Sequence, residues 1–338
     1  MDNMEQAIAD VKKALPNLTL YENEPMSEHT SFKIGGPVRA LAVPSDVSSL
    51  TRICYWLKHN KIAPFILGNG SNILCPDEGL SKLFMISTEK LTNMFLLPTG
   101  EIYAEAGVSL AKLSTFAQQN SLKGLEFASG IPGTIGGGVT MNAGAYGGEL
   151  KDVIQSVVTY YIPEQRLYEL SNEQCTFGYR GSLFKRLGGN IILSAVFKLE
   201  PGDKDEIAAK MRELNERRRD KQPLDYPSAG SAFKRPEGHF AAAMIEDAGL
   251  KGFSIGGAQV SEKHSGFIIN KGGATSKDVY DLMMHVRNTV GKQTGIGLEL
   301  EIIVLPPDYE LKDDGPEVPL HLVTPGYTGN EGPAGEIQ

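Results

Sequence analysis

The sequence predicts an α+β protein of more than one domain, and three observations carry that expectation. Two small α/β units lie in the first third of the chain, a β-rich stretch follows from Val153, and Pro201-Gly202-Asp203-Lys204 marks a boundary before a further helix-and-strand set. A chain of 338 residues can bury substantial cores, and its length fits two or three ordinary domains.

The first helix is expected over Ser45 to Asn60. Val47, Leu50, Ile53, Cys54 and Leu57 recur there at helical spacing behind Asp46, a suitable N-cap. It leads into a strand at Pro64 to Leu67. Leu80 to Thr88 and Glu101 to Gly107 read as strands, the second through alternation of Ile102, Tyr103, Ala104 and Ala106. Ser109 to Asn120 repeats the helical scheme with Leu110, Leu113, Phe116 and Ala117 on one face. Val153 to Tyr161 and Leu167 to Leu170 flank Pro163-Glu164-Gln165-Arg166 as a hairpin, and Asn190 to Leu199 is a further strand. Past the boundary, a helix from Lys204 to Asp220 turns Ile207, Met211 and Leu214 inward. Next come an apolar helix over Phe240 to Ala248, strands near Gln259 and at Phe267 to Asn270, and a helix from Lys277 to Val290. A strand from Leu298 to Leu305 closes the unit. The tail after about Pro306 lacks periodic apolar spacing and is expected to be loosely ordered.

The most unusual segment runs from Phe127 to Gly148, with eight glycines and no charged side chain. Backbone N–H groups stand exposed in such a segment, and without Cβ atoms a bulky ligand can approach the main chain. Nests of this kind hold phosphate oxygens without a lysine. Phe127, Ile131, Ile135, Val139 and Met141 argue against a solvated linker. A second such segment, Gly68-Asn69-Gly70-Ser71-Asn72, follows the strand ending at Leu67. Ile73 stands where a Rossmann fingerprint needs its third glycine, and no P-loop occurs. The pair suggests one extended ligand touched twice.

Lysine and arginine number 33 against 41 acids, and the net charge of −8 argues against a nucleic-acid binder. No apolar run approaches membrane-helix length, and the first residues show no signal-peptide pattern, so a cytoplasmic location is expected. Cys54, Cys75 and Cys175 form neither a disulfide framework nor a zinc pattern, and the six histidines show no HExxH. No metal site is expected.

Among candidate chemical groups, Arg180 in Tyr179-Arg180-Gly181-Ser182-Leu183-Phe184-Lys185 reads locally as a surface arginine packed on aromatics. Ser231 sits in a small-residue turn without a GxSxG elbow, and alone reads as a turn serine. Glu299 and Glu301 fall on one face of a strand, where paired acids usually meet water and a minority are tuned by burial. Six cations against three acids between Lys210 and Lys221 read as a solvated helix end, and with Lys234 and Arg235 nearby they also suit a pyrophosphate.

Taken in order, Thr30 to Gly36, Gly68 to Asn72, Gly130 to Gly148, Tyr179 to Lys185, Pro227 to Pro236, Gly257 to Asn270 and Leu298 to Glu301 resemble the UDP-N-acetylenolpyruvoylglucosamine reductases. The resemblance spans about Ser27 to Leu305. It implies an α+β, three-domain flavoprotein: a vanillyl-alcohol-oxidase/PCMH-type FAD-binding fold of two α/β subdomains (1–90 and 91–202) and a C-terminal α/β substrate-binding domain (203–305), with 306–338 as the tail. Non-covalent FAD would be held by Gly68, Asn69, Gly70, Ser71 and Asn72, by Gly130, Ile131, Pro132, Gly133 and Gly137, and by Asn142, Ala143 and Gly144. NADPH would reduce the flavin. Hydride would then pass to C3 of the enolpyruvyl ether of a UDP-sugar, making UDP-N-acetylmuramate for peptidoglycan. Arg180 would neutralise the enolate, Glu301 would stabilise the enol as the matching acid of its pair, and Ser231 would protonate C2. Lys221 would pair with substrate charge, with Arg235, Gln259 and His264 as further substrate contacts. The short spacing from Arg180 to Ser231 resembles the family branch without an inserted tyrosine loop. A monomer is implied. Two rival readings are a flavin oxidase of the same fold acting on an alcohol or sugar, and a non-catalytic nucleotide-binding module. Neither requires the joint Arg180, Ser231 and Glu301 set.

Overall fold

Helix α1 (Asn3–Ala14) opens the described part of the chain, residues 2–306 of a computed structural model. The expected tail lies mostly outside these residues. A capping box starts α1: the Asp2 carboxylate accepts the Glu5 N–H at 2.7 Å, and Glu5 accepts the Asp2 N–H at 3.3 Å. Met4, Ala7, Ile8 and Val11 form its buried stripe. Helix α2 (Val47–His59) has Asp46 as its N-cap, as expected, and buries Leu50, Ile53, Cys54 and Leu57. Both helices cover one face of a four-stranded sheet ordered Thr19–Pro25, Pro37–Val43, Leu80–Ser87, Pro64–Leu67, antiparallel in its first pair and parallel elsewhere. α2 is therefore the crossover of a βαβ unit.

The second expected α/β unit takes a different form. Ile102–Glu105 joins a five-stranded antiparallel sheet ordered Arg166–Ser171, Ile154–Tyr161, Asn190–Phe197, Ile102–Glu105, Met94–Leu96. All four residues of Ile102–Glu105 are buried, because a distant strand pairs with them and helices cover the face beyond. Local alternation cannot register such non-local pairing. Helices α3 (Leu110–Gln119), α4 (Ile135–Met141) and α5 (Leu183–Arg186) pack here through Leu113, Ile135, Val139 and Phe184. α4 lies within the long glycine segment, where no helix was expected.

Helix α6 (Lys204–Lys221) buries Ile207 and Leu214 and leaves Met211 only half-buried, while Arg218 is 8% exposed. It packs against the second unit: the Gln118 amide donates to the Lys204 carbonyl at 3.2 Å, and the Arg218 guanidinium donates to the Gly130 carbonyl. Beyond it an antiparallel sheet, ordered Ser228–Ser231, Phe267–Asn270, Ala258–Val260, Ser254–Ile255, carries α7 (Ala241–Asp247) and α8 (Ser276–Thr294).

The closing segment corrects one expectation. Only Ile303–Val304 is strand, pairing in parallel with Ile73–Leu74 of the first unit, and Leu300 forms an isolated bridge to Phe233. The chain is diverted because it must leave the third sheet and reach the first unit. Glu299 and Glu301 consequently point to different surroundings, with side chains 74% and 15% exposed. Phe32, Ile34 and Leu74 enter the core of the third unit.

All three cysteines are buried, and desolvation pushes the Cys75 and Cys175 thiols up to about 12. Among the described residues no helix is long and apolar enough to cross a membrane, and no group of three or more potential metal ligands occurs.

Candidate active site

The two glycine segments meet. Ser71 donates its hydroxyl to the Pro132 carbonyl at 2.6 Å, and a Cβ added to Gly68 would lie 2.6 Å from the Thr134 hydroxyl. Between them opens a cleft of about 570 Å³, lined by residues 64–73, by much of 131–144, and by Arg180, Lys185, Ser231 and Glu301.

The glycines of this wall divide by what surrounds them. Gly70 has φ +58°, and a Cβ there would sit 2.0 Å from the His29 carbonyl, so the fold itself requires glycine. Gly136 and Gly138 press on Ala106 and on Leu110 and Leu150. Gly133 and Gly137 differ, since their added Cβ atoms would meet no protein atom nearer than 3.6 Å and 3.9 Å while both residues line the cleft. Nothing in the protein demands their lack of a side chain, whereas a ligand lying against the main chain would. Thr134 adds a second sign: its hydroxyl is buried without a hydrogen-bond partner in the wall between them. An uncharged wall with close-approach glycines and an orphaned hydroxyl suits a large planar group bearing phosphates.

At the far end stands the charged cluster. Arg180 occupies a left-handed backbone conformation, φ +53°, in a tight turn closed by reciprocal bonds between Gly178 and Gly181. Its Nε donates to Glu301 Oε1 at 2.6 Å and its Nη2 to the Gly144 carbonyl at 3.3 Å. Glu301 is fixed through its backbone: its N–H donates to the Ala232 carbonyl at 2.9 Å, and its carbonyl accepts from the Asn72 amide at 3.2 Å. The first of these bonds sets Glu301 beside Ser231. Burial raises the Glu301 pKa above the ordinary carboxylate value, against the opposing pull of Arg180, then of Lys185 and Lys234. Glu299 is held below it by its hydrogen bond to Lys234.

The structure thus brings together Arg180, Ser231 and Glu301 with Gly68 to Asn72, Ile131, Pro132, Gly133, Gly137, Ala143 and Gly144. Two expected cofactor contacts lie outside the lining. Gly130 faces Asn215 and Arg218 of α6, and Asn142 caps α4 in a left-handed conformation, its amide donating to Glu149 and the Gly178 carbonyl. Asn142 thereby holds the Arg180 turn. Lys221, Arg235, Gln259 and His264 also lie outside it. Arg235 stacks on Phe240 at 3.9 Å, and its N–H donates to the Tyr179 hydroxyl. The Gln259 amide donates to the Gly252 carbonyl, and burial lowers the His264 pKa. Thr134 and Lys185 were not singled out from sequence, although both fall inside the segments that were.

Residues 38–162 match the FAD binding domain family, and residues 222–305 match the family described as UDP-N-acetylenolpyruvoylglucosamine reductase, C-terminal domain. A UDP-N-acetylenolpyruvoylglucosamine reductase from Caldanaerobacter subterraneus is 49% identical over 295 residues, 87% of this chain and 96% of the relative. One from Clostridium tetani is 45% identical over 311 residues, 91% and 99% of the two chains. The crystal structure of the reductase from Thermus caldophilus superposes with a TM-score of 0.74 at 32% identity, covering 86% of this chain and all of that one. The expected arrangement is therefore present: an FAD-binding domain followed by the C-terminal domain of these reductases, in mixed helix and strand. Because both matches fall on the walls of one cleft and the relatives are covered almost end to end, the chain belongs to the UDP-N-acetylenolpyruvoylglucosamine reductase family.

Proposed function

We propose that the chain reduces UDP-N-acetylglucosamine enolpyruvate to UDP-N-acetylmuramate for peptidoglycan, using NADPH and non-covalent FAD, as a cytoplasmic monomer. The observation that carries this reading is the Arg180–Glu301 contact at 2.6 Å, set beside Ser231 at the end of the glycine-walled cleft. We assign the flavin to the units spanning 1–90 and 91–202 and the UDP-sugar to that spanning 203–305.

Main-chain groups at Gly68 to Asn72 and at Gly133 and Gly137 would hold FAD, with the Thr134 hydroxyl free to donate to it. When bound and reduced by NADPH, the flavin would supply the hydride that C3 of the enolpyruvyl double bond accepts. Negative charge then grows from C2 into the substrate carboxylate, and Arg180 neutralises it with a guanidinium that cannot lose its proton. Glu301, its pKa raised by burial, keeps a proton available to the enol oxygen. Ser231 delivers its proton to C2, completing addition of hydride and proton across the bond, and recovers it from water. A serine is a weak acid, but a carbanion-like C2 is basic enough to take its proton. Lys221 and Arg235 keep exposed charges for the diphosphate, with Gln259 and His264 as further substrate contacts.

Anaerobic stopped-flow absorbance of the FAD-loaded protein tests the reading. NADPH should bleach the flavin band, and the enolpyruvyl sugar should restore it. In Ser231→Ala the first phase should stay within about twofold and the second should slow by about 10²–10⁴-fold. Two fast phases in the variant would remove Ser231 from the reaction, and a band restored only by oxygen would identify an oxidase.

A further inference from the structure

Arg180 holds a left-handed backbone conformation, φ +53°, that is strained for a non-glycine residue, so the surroundings must hold it. One group bonded to this turn is Lys185. Leu183 and Phe184 of α5 are buried in the second core, and the Ser182 hydroxyl ties the start of the helix to the Thr140 carbonyl at 2.8 Å. With α5 anchored in this way, Lys185 lines the cleft, and its ammonium donates to the main-chain carbonyl of Arg180 at 3.1 Å.

We propose that Lys185 is a positioning residue for the reduction: it clamps the turn that aims Arg180 at Glu301 and adds its positive charge to the cleft that both line. This rests on the reading of Glu301 as an acid in the reaction. The charged groups that act on Glu301 are Arg180 and Lys185 from the loop and α5 and Lys234 from the segment after Ser231, while Glu299, turned to different surroundings, acts on Lys234 and Lys185. Lys234 is engaged by Glu299 at 2.8 Å, which leaves Lys185 as the cation whose Nζ bonds to the Arg180 turn. Partial desolvation at the cleft lowers the pKa of Lys185, and the charge of Lys234 lowers it further, although the side chain keeps an exposed surface.

The test uses the FAD-loaded protein carrying ¹³C at its glutamate side-chain carboxyls, with the Glu301 signal assigned by its loss in Glu301→Gln. Lys185→Met should move the Glu301 titration midpoint upward, because a nearby positive charge that favours the carboxylate is gone. Lys185→Arg should leave it in place. In turnover, Lys185→Met should lower kcat about tenfold with KM little changed, and the limb of the kcat–pH curve that reports Glu301 should move the same way. An unmoved midpoint in Lys185→Met overturns the proposal even if kcat falls, since a merely structural lysine would produce that result. An equal shift in Lys185→Arg overturns it as well. The titration needs no substrate, so a coupled midpoint without reductase turnover would sink the functional reading and leave the coupling standing.

Discussion

At Glu301 two effects oppose each other: desolvation favours the neutral acid, while Arg180 favours the carboxylate, and burial prevails. A raised folded-state pKa means that the folded chain binds this proton more tightly than the unfolded one. The stability it contributes is full below the ordinary carboxylate pKa and is lost as pH rises through the raised value. Glutamine cannot ionise but still accepts the Arg180 N–H. Glu301→Gln should therefore gain stability over the parent progressively as pH rises past the ordinary carboxylate range, by on the order of a few degrees in Tm at neutral pH. The same variant should slow flavin reoxidation by the enolpyruvyl sugar about 10²–10⁴-fold. Thermal melts of both proteins across pH decide it, and a difference that shrinks with pH would mean that the fold lowers the Glu301 pKa, so that Arg180 rather than burial prevails. Sequence made Arg180 and Glu301 visible through motifs alone, because each looks like a surface residue locally. Their contact spans 121 positions, which no spacing rule reaches. Thr134 was passed over for a related reason, since an orphaned hydroxyl is recognised only once its surroundings are known.

Among secondary-structure elements, the helices were the most legible and the strand partners the least. α2, α6 and α8 carry amphipathic stripes that sequence displays directly, whereas Ile102–Glu105 and Ile303–Val304 owe their pairing to distant segments. α4 was hidden for another reason. Three consecutive glycines give it poor helix propensity, and it forms because Ile135 and Val139 reach the core while Gly136 and Gly138 allow close packing. The separation of glycine roles along this wall gives a paired prediction. Gly137→Ala adds a methyl to open cleft space and improves helix propensity by about 1 kcal/mol, so the apoprotein should melt no lower while FAD binds at least tenfold more weakly. Gly70→Ala drives a Cβ against the His29 carbonyl in a left-handed conformation and should cost about 2–3 kcal/mol of apoprotein stability. FAD titrations and melts of both variants check this, and unchanged FAD affinity in Gly137→Ala would show that the cofactor does not lie against α4.

Across the whole molecule, the third unit is not closed upon itself. Phe32 and Ile34, together with Leu74, complete its core from the first unit, and Phe32 is fully buried. Hydrogen bonds reinforce the seam: Asn270 donates its amide to the Phe32 carbonyl at 3.1 Å, Ser31 its hydroxyl to the Ser228 carbonyl at 2.6 Å, and Ser276 both N–H and hydroxyl to Asp77 at 2.7 Å. Fully burying three such apolar side chains is worth about 1.5–3 kcal/mol each. A segment the length of 222–305 has, at roughly 0.05–0.15 kcal/mol per residue, a total stability of only about 4–13 kcal/mol. The borrowed residues supply a share comparable to that whole. Residues 222–305 produced alone should therefore show no cooperative thermal transition, whereas Phe32→Ala in the full chain should keep one transition and lose about 3–5 kcal/mol. The loss should weaken FAD binding too, because the edge bearing Ser231 and Glu301 is held over the cleft by this seam. A cooperative melt of the isolated segment, or a Phe32→Ala protein with parental FAD affinity, would show instead that the unit folds independently and that its docking contributes little to the flavin site.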